Sequence, residues 1–178
     1  TLRALGGGSP DPDALVEARK REALATLALL AQPHMAQKAL WDTLDVSYFM
    51  RHAPDEIAWH TRHISRSLAQ RPADSQDEAP VVRARLSPVG EGLQVLVYTR
   101  DQSDLFARIC GYFDEAGFSI LDAKVHTTRD GYALDTFQVA ASTLSEHYRE
   151  LTAMVESDLP HALAPASPLP APSRGRLS

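Results

Sequence analysis

The run from Ser119 to Val139 constrains the fold more than any other part of the chain, because two alternating segments meet at Arg129-Asp130-Gly131. In the first segment Leu121, Ala123, Val125 and Thr127 share one parity, and Asp122, Lys124, His126 and Thr128 share the other. A period of two is the pattern of a strand with one face on a core and the other in water. Asp130-Gly131 supplies the positive-φ positions of a tight turn, which Gly adopts freely and Asn or Asp less readily. The stretch is expected to be a β-hairpin whose return strand starts near Tyr132.

With 178 residues, 44% of them hydrophobic, the chain has room for one ordinary domain or for a small domain with a helical neighbour. The formal net charge of -5 gives no general attraction to nucleic acid or to an anionic membrane. A ferredoxin-like RNA binder would also need stacking aromatics and cations on its sheet, and Phe137 with Lys124 does not supply them. Cys110 is the single cysteine, so no internal disulfide forms. No apolar run approaches the roughly 18 residues of a membrane span, and no secretory segment stands out. A cytoplasmic setting is the expectation.

The first half reads as helical. Residues 1–10, with Gly6-Gly7-Gly8, form a flexible start. Asp11-Pro12 then has the form of an N-cap followed by proline at the first helical position. Leu15, Ala18, Leu24, Leu27 and Leu30 carry this helix to about Ala31, with Glu17, Arg19, Lys20, Arg21 and Glu22 as its solvated face. Met35, Ala39, Leu40 and Leu44 suggest a second helix, and Asp45-Val-Ser47 leads into a short aromatic turn at Tyr48-Phe49. Pro54 opens a third helix, in which Asp55 and Glu56 complement the macrodipole and Ile57, Ile64 and Leu68 form a stripe. His52, His60 and His63 are read as hydrogen-bonding groups of a helical connector rather than as a metal site, since no further ligands are evident. Trp41 and Trp59 are read as packing anchors. The helical segment is placed at 11–70 and a polar linker at 71–80.

The second half, 81–159, reads β, β, α, β, β, α. Val82, Ala84 and Leu86 alternate with Arg83 and Arg85, then Ser87-Pro-Val-Gly-Glu-Gly92 turns the chain into a strand over 93–99 that is buried on both sides. Leu105, Phe106, Ile109, Cys110 and Phe113 form the apolar stripe of the next helix, closed by Gly117. Cys110 on that stripe is a small core residue, not a nucleophile. After the central hairpin, Thr143-Leu-Ser-Glu146 has the form of a capping box before a last helix with Leu144, Tyr148, Leu151 and Val155, ending before Pro160. Residues 160–178 are a proline-rich linker or tail.

Two long stretches carry a family resemblance. His126-Thr-Thr-Arg-Asp-Gly-Tyr-Ala-Leu-Asp-Thr-Phe137 resembles the regulatory ACT domain of the bifunctional uridylyltransferase/uridylyl-removing enzymes that modify the PII nitrogen-signalling protein. Leu40-Trp-Asp-Thr-Leu-Asp-Val-Ser-Tyr-Phe-Met-Arg-His-Ala-Pro-Asp-Glu-Ile-Ala-Trp-His-Thr-Arg62 resembles the same family. The resemblance implies an α+β, ferredoxin-like ACT domain, the first of two in the parent, preceded by a helical segment. The usual ACT order is βαββαβ, so this chain gains a strand before and loses one after. The strand at 81–86 is expected to take the missing strand's place at the sheet edge. The remaining sheet face and edges favour pairing with a second ACT domain or packing on the helical half.

The resemblance further implies that catalysis lies upstream in the parent, in nucleotidyltransferase and phosphohydrolase domains for which magnesium is expected. This chain is expected to hold no catalytic residue, metal or cofactor. Gly8-Ser9 with Asp11 and Asp13 reads as a helix start rather than a nucleotidyltransferase motif, and Asp122, Asp130 and Asp135 read as strand and turn residues rather than a carboxylate pair. In this family glutamine signals nitrogen sufficiency, and ACT domains hold amino acids between the loop after the first strand and a partner's strand edge. That implies glutamine at Asp101, Gln102, Ser103, Asp104 and Leu105 on one side and Ser119, Ile120, Leu121 and Asp122 on the other. Many ACT domains have Pro-Gly where this chain has Ser103-Asp104, and Asn where it has Ser119. Two alternatives stay open: Ser103 or Asp104 simply caps the helix, or the domain is a docking and dimerisation module without a small-molecule ligand.

Overall fold

A computed structural model describes residues 11–29, 34–71 and 79–164, and they divide into two compact units between Gln70 and Arg71. The opening ten residues, Leu30, most of the expected linker and the tail beyond residue 164 lie outside the described residues, as do the side chains of Met35 and Leu144.

The first unit is helical: α1 (Pro12–Leu29), α2 (His34–Trp41), α3 (Val46–Arg51) and α4 (Pro54–Gln70). Asp11 accepts from the Asp13 N–H at 3.3 Å, as an N-cap should. Asp45 caps α3, its carboxylate accepting from the Tyr48 N–H at 3.3 Å. Val16, Ala23 and Leu27 form the buried stripe of α1, while Leu15, Ala18 and Leu24 are only half-buried. This rotation corrects the expected solvated face, because Arg19 and Lys20 lie between Val16 and Ala23 on the packed side. The Arg19 Nη1 donates to the carbonyl oxygens of Phe49, Met50 and His52, at 2.9, 2.9 and 2.6 Å. One Nη1 has two hydrogens, so the three acceptors share them, and the guanidinium closes the carbonyl end of α3. The Lys20 Nζ sits 4.7 Å from the Phe49 ring centroid. Trp41 and Trp59 are buried anchors, and the Trp41 Nε1 donates to the Thr61 Oγ1 at 2.9 Å.

The second unit is α+β and ferredoxin-like. Its elements are β1 (Val81–Leu86), β2 (Leu93–Arg100), α5 (Leu105–Glu115), β3 (Ser119–Lys124), β4 (Tyr132–Ala140) and α6 (Leu144–Ala162). The sheet is antiparallel in the order β1-β2-β4-β3. β1 therefore lies beside β2 at one edge, where the missing terminal strand was expected to be replaced. Val82, Leu93, Val95, Val97, Phe137 and Val139 share the face packed by Leu105, Ile109 and Phe113 of α5, by Val155 and Leu159 of α6 and by its C-cap Leu163. On the other face Leu96 and Leu134 are also fully buried.

Several local expectations shift. The apolar stripe of α5 is Leu105, Ile109, Tyr112 and Phe113, with Phe106 half exposed. Gly117 (φ 89°) closes the helix in a Schellman arrangement: the Phe118 N–H reaches the Phe113 oxygen and the Gly117 N–H the Asp114 oxygen. The hairpin at 128–131 is present, with the Gly131 N–H on the Thr128 oxygen. Its parity, however, does not run through. A bulge interrupts pairing between Ile120 and Asp122, and β3 stops at Lys124, so Leu121 and Val125 are exposed while His126 and Thr128 are buried. Leu86, at the strand end, is exposed as well.

No side-chain cap forms at Thr143. The last helix also passes through Pro160 to Ala162, because Leu159 and Leu163 are buried in the core and outweigh the one backbone bond that proline removes. The edge strand β1 is covered in part by this helix, whose Glu156 Oε2 accepts from the Ala84 N–H at 2.9 Å.

Gly92 (φ 97°) tests the β1–β2 turn, since a Cβ there would collide with the Val139 carbonyl. Gly92→Ala is expected to destabilise the protein by at least about 1–3 kcal/mol. Gly131→Ala, with a similar φ but open space around it, is expected to cost only about 1 kcal/mol; urea denaturation of both variants checks the order. Arg19→Met, which keeps the aliphatic stem and removes the donors, is expected to cost about 1.5–3 kcal/mol by the same measurement.

Candidate functional site

The loop between β2 and α5 lies where the sheet ends and a helix begins. The Asp101 N–H donates to the Gly131 oxygen at 3.0 Å, tying the loop to the hairpin turn. The Gln102 Nε2 reaches the Leu163 carbonyl at 3.3 Å. Ser103 is exposed, and Leu105 is buried as the first residue of α5. Asp104 stands at the N-cap position without a side-chain cap bond. Its Oδ2 instead accepts from the Arg108 Nε at 2.7 Å. The capping alternative therefore fails for the Asp104 side chain, because the guanidinium one turn on holds the carboxylate. Arg108 is itself buried and its Nη1 lies 3.4 Å from the Ala162 oxygen, so it joins the two helices.

Asp135, read from the sequence as a polar strand residue, is buried. It pairs with Val97 across the ladder and shares the parity of Ala133 and Phe137, which puts a carboxylate on the helix-covered face. Only 4% of it is exposed. Its Oδ1 accepts from the His126 N–H at 3.3 Å. Burial, less this hydrogen bond and reinforced by the negative charge of Asp101, pushes its carboxyl up to about 6. The signal in the sequence was the place of Asp135 between Ala133 and Phe137, on the parity that β4 turns inward.

The other half of the site was expected from the strand edge of a partner, and within one chain it lies apart from the loop. Arg100 pairs with Tyr132 and Ser119 with Ala140, eight residues apart along β4. At about 3.4 Å per residue that is about 27 Å. One chain therefore does not bring Ser119, Ile120, Leu121 and Asp122 to loop 101–105; a second copy would have to present them. All four are exposed on the edge strand β3. Cys110 is half-buried, and burial pushes its thiol up, which disfavours the reactive thiolate.

Asp101 thus lies in the loop just before the N-terminus of α5, while Asp135, opposite Val97, lies further back in the sheet and feels Asp101 only as a like charge. Carboxylates attract an ammonium, and the N–H groups of a helix start attract a carboxylate, so the arrangement suits a zwitterion. Among the described residues no helix is long and apolar enough to cross a membrane.

Asp135 makes stability depend on pH with a definite sign. Its value in the folded protein lies above the ordinary 3.8, so the folded state holds the proton more tightly than the unfolded chain. The favourable contribution is complete below about pH 4 and is lost as pH rises through about 6. Asp135→Asn keeps an oxygen for the His126 N–H and is expected to raise stability at pH 7 by up to about 3 kcal/mol. Denaturation at intervals from pH 4 to 8 is expected to show a flatter profile for the variant.

Residues 11–63 match the family model described as the uridylyltransferase GlnD fifth domain. The chain is 52% identical, over its whole length, to the bifunctional uridylyltransferase/uridylyl-removing enzyme of Ralstonia nicotianae, of which it covers 20%. The enzymes of the same name from Burkholderia thailandensis and Burkholderia mallei are also 52% identical over all of this chain and 20% of their own length. The chain thus spans about a fifth of the length of the curated relatives it matches. No solved structure matches it.

Proposed function

We propose, from the premise that this chain belongs to the bifunctional uridylyltransferase/uridylyl-removing enzyme family, that it is a regulatory segment through which glutamine biases the balance of uridylylation and uridylyl removal. Its α+β unit acts as an ACT domain. The observation that supports this reading is a carboxylate, Asp101, in the loop that leads into α5, with a second, buried carboxylate, Asp135, further back in the same sheet. The ammonium of an amino acid sits against these carboxylates and its carboxylate against the helix N–H groups. A ligand held better in one domain arrangement than in another shifts the activities of the parent by that difference in affinity. Catalysis on PII, with magnesium, belongs to the parent's other domains.

A second reading is favoured by the edge strand β3, which carries exposed Ile120 and Leu121 and is followed by exposed Val125. There the unit pairs with another ACT domain and holds no ligand. Calorimetric titration with glutamine, with glutamate and a second neutral amino acid as controls, separates the two. The sensor reading expects saturable binding selective for glutamine and weakened by Asp101→Asn. It also expects proton release on binding near pH 6, because an ammonium beside Asp135 lowers the carboxyl value. Binding that is absent from folded protein, together with self-association in sedimentation, would leave the docking module.

A further inference from the structure

In the helical unit, His52, Glu56 and His60 follow one another at four-residue spacing across the corner between α3 and α4. Glu56 and His60 are one turn apart on α4, so they project from the same side of that helix. His52 stands at the C-cap of α3 in an extended conformation, two residues before α4 begins. Each of the three offers a ligand atom, and these atoms lie within 4.8 Å of one another. All three residues are buried, with 1%, 6% and 0% of their surface exposed. His63 is not one of them.

The surroundings fix both imidazoles. The His52 Nδ1 lies 2.9 Å from the Tyr48 carbonyl oxygen. A carbonyl only accepts, so this Nδ1 carries the hydrogen, and in the neutral ring the lone pair falls on Nε2. The His60 Nδ1 lies 2.6 Å from the Tyr48 hydroxyl. A backbone oxygen behind one ring and a hydroxyl behind the other are partners of the kind that orient metal-binding histidines. Tyr48, Trp59 and the two imidazoles also pack against one another, with centroid separations from 4.5 to 5.9 Å.

We infer that His52, Glu56 and His60 form a binding site for a divalent transition-metal ion, zinc in the first instance. Two imidazole nitrogens and one carboxylate oxygen are a zinc-type donor set, whereas magnesium and calcium favour oxygen throughout. Three protein ligands leave a position for water or another small donor. Enclosing a carboxylate costs several kcal/mol unless a cation or strong hydrogen bonds compensate. A zinc ion compensates it, and a protonated histidine is the competing solution that an experiment has to separate.

The test uses the full chain purified without chelator. Elemental analysis after desalting is expected to find about one zinc per chain. Replacement by cobalt(II) is expected to give the visible absorption of a four- or five-coordinate site. Chelation is expected to lower the thermal midpoint, with zinc but not magnesium restoring it. Glu56→Gln should weaken zinc binding at least about tenfold, while His63→Gln leaves it unchanged. Protein that takes up neither zinc nor cobalt overturns the inference, as does uptake that is indifferent to Glu56→Gln or lost with His63→Gln. If Glu56→Gln does not fold, the cobalt spectrum and stoichiometry of the unaltered chain decide.

Discussion

Strand β2 has no solvent side, and the architecture of the α+β unit follows from satisfying it. Every residue from Leu93 to Thr99 is buried. A peptide group in such a strand has no water to turn to, so both of its edges need partners along their length. β4 supplies one edge, and β1 supplies the other where the usual ACT order would have used a strand at the far end of the chain. An unpaired β2 edge between two apolar faces would be a template for aggregation. The outermost strands are milder: β1 carries Arg83 and Arg85 and has its Ala84 N–H taken by Glu156, and β3 is broken by its bulge. Gly92 is where this substitution of one strand for another meets its tightest steric limit.

The same accounting explains the long side chains that resemble surface charges. A helix leaves carbonyls open at its C-terminus, and two of these helix ends are met by donors from elsewhere in their own unit. Arg19 serves α3. Gln102 and Arg108 serve the end of α6, which helps that helix persist past Pro160. Such donors act through carbonyls distant in sequence, so their own helices give no hint of the role.

This marks the boundary of what could be read from residues alone. Strand alternation, Asp-Gly at the hairpin, Gly117 after α5 and Pro54 at the start of α4 are local signals with local causes, and each lies in the element expected of it. The place of β1 was also legible, because the rules of sheet connection leave an extra hairpin strand few positions. The bulge at Leu121 was not, since it depends on register against β4. Asp135 as an inward carboxylate was legible only in its parity with Ala133, Phe137 and Val139, against the usual expectation that a lone carboxylate faces water. The metal-type triad was half visible. Three histidines drew attention to the segment, but the fold selects two of them and adds Glu56, which the sequence offered only as a helix-start acid.

Asp135 is an odd choice for a core position unless something compensates its burial. The upward displacement of its carboxyl corresponds to about 3 kcal/mol held against the ionised form at neutral pH. Coupling between a regulatory ligand and a distant activity requires about 1–3 kcal/mol. A cation brought to Asp135 would therefore have available, from one residue, a relief of the size that regulation needs. That relief becomes regulatory only if the two states of the parent differ in how far they admit the cation, because a ligand bound equally by both shifts nothing. The loop 101–105 is joined to the hairpin turn through Asp101 and to the end of α6 through Gln102. A displacement of the loop by ligand would thus be felt at both, and α6 is the helix whose Glu156 secures the substituted edge strand.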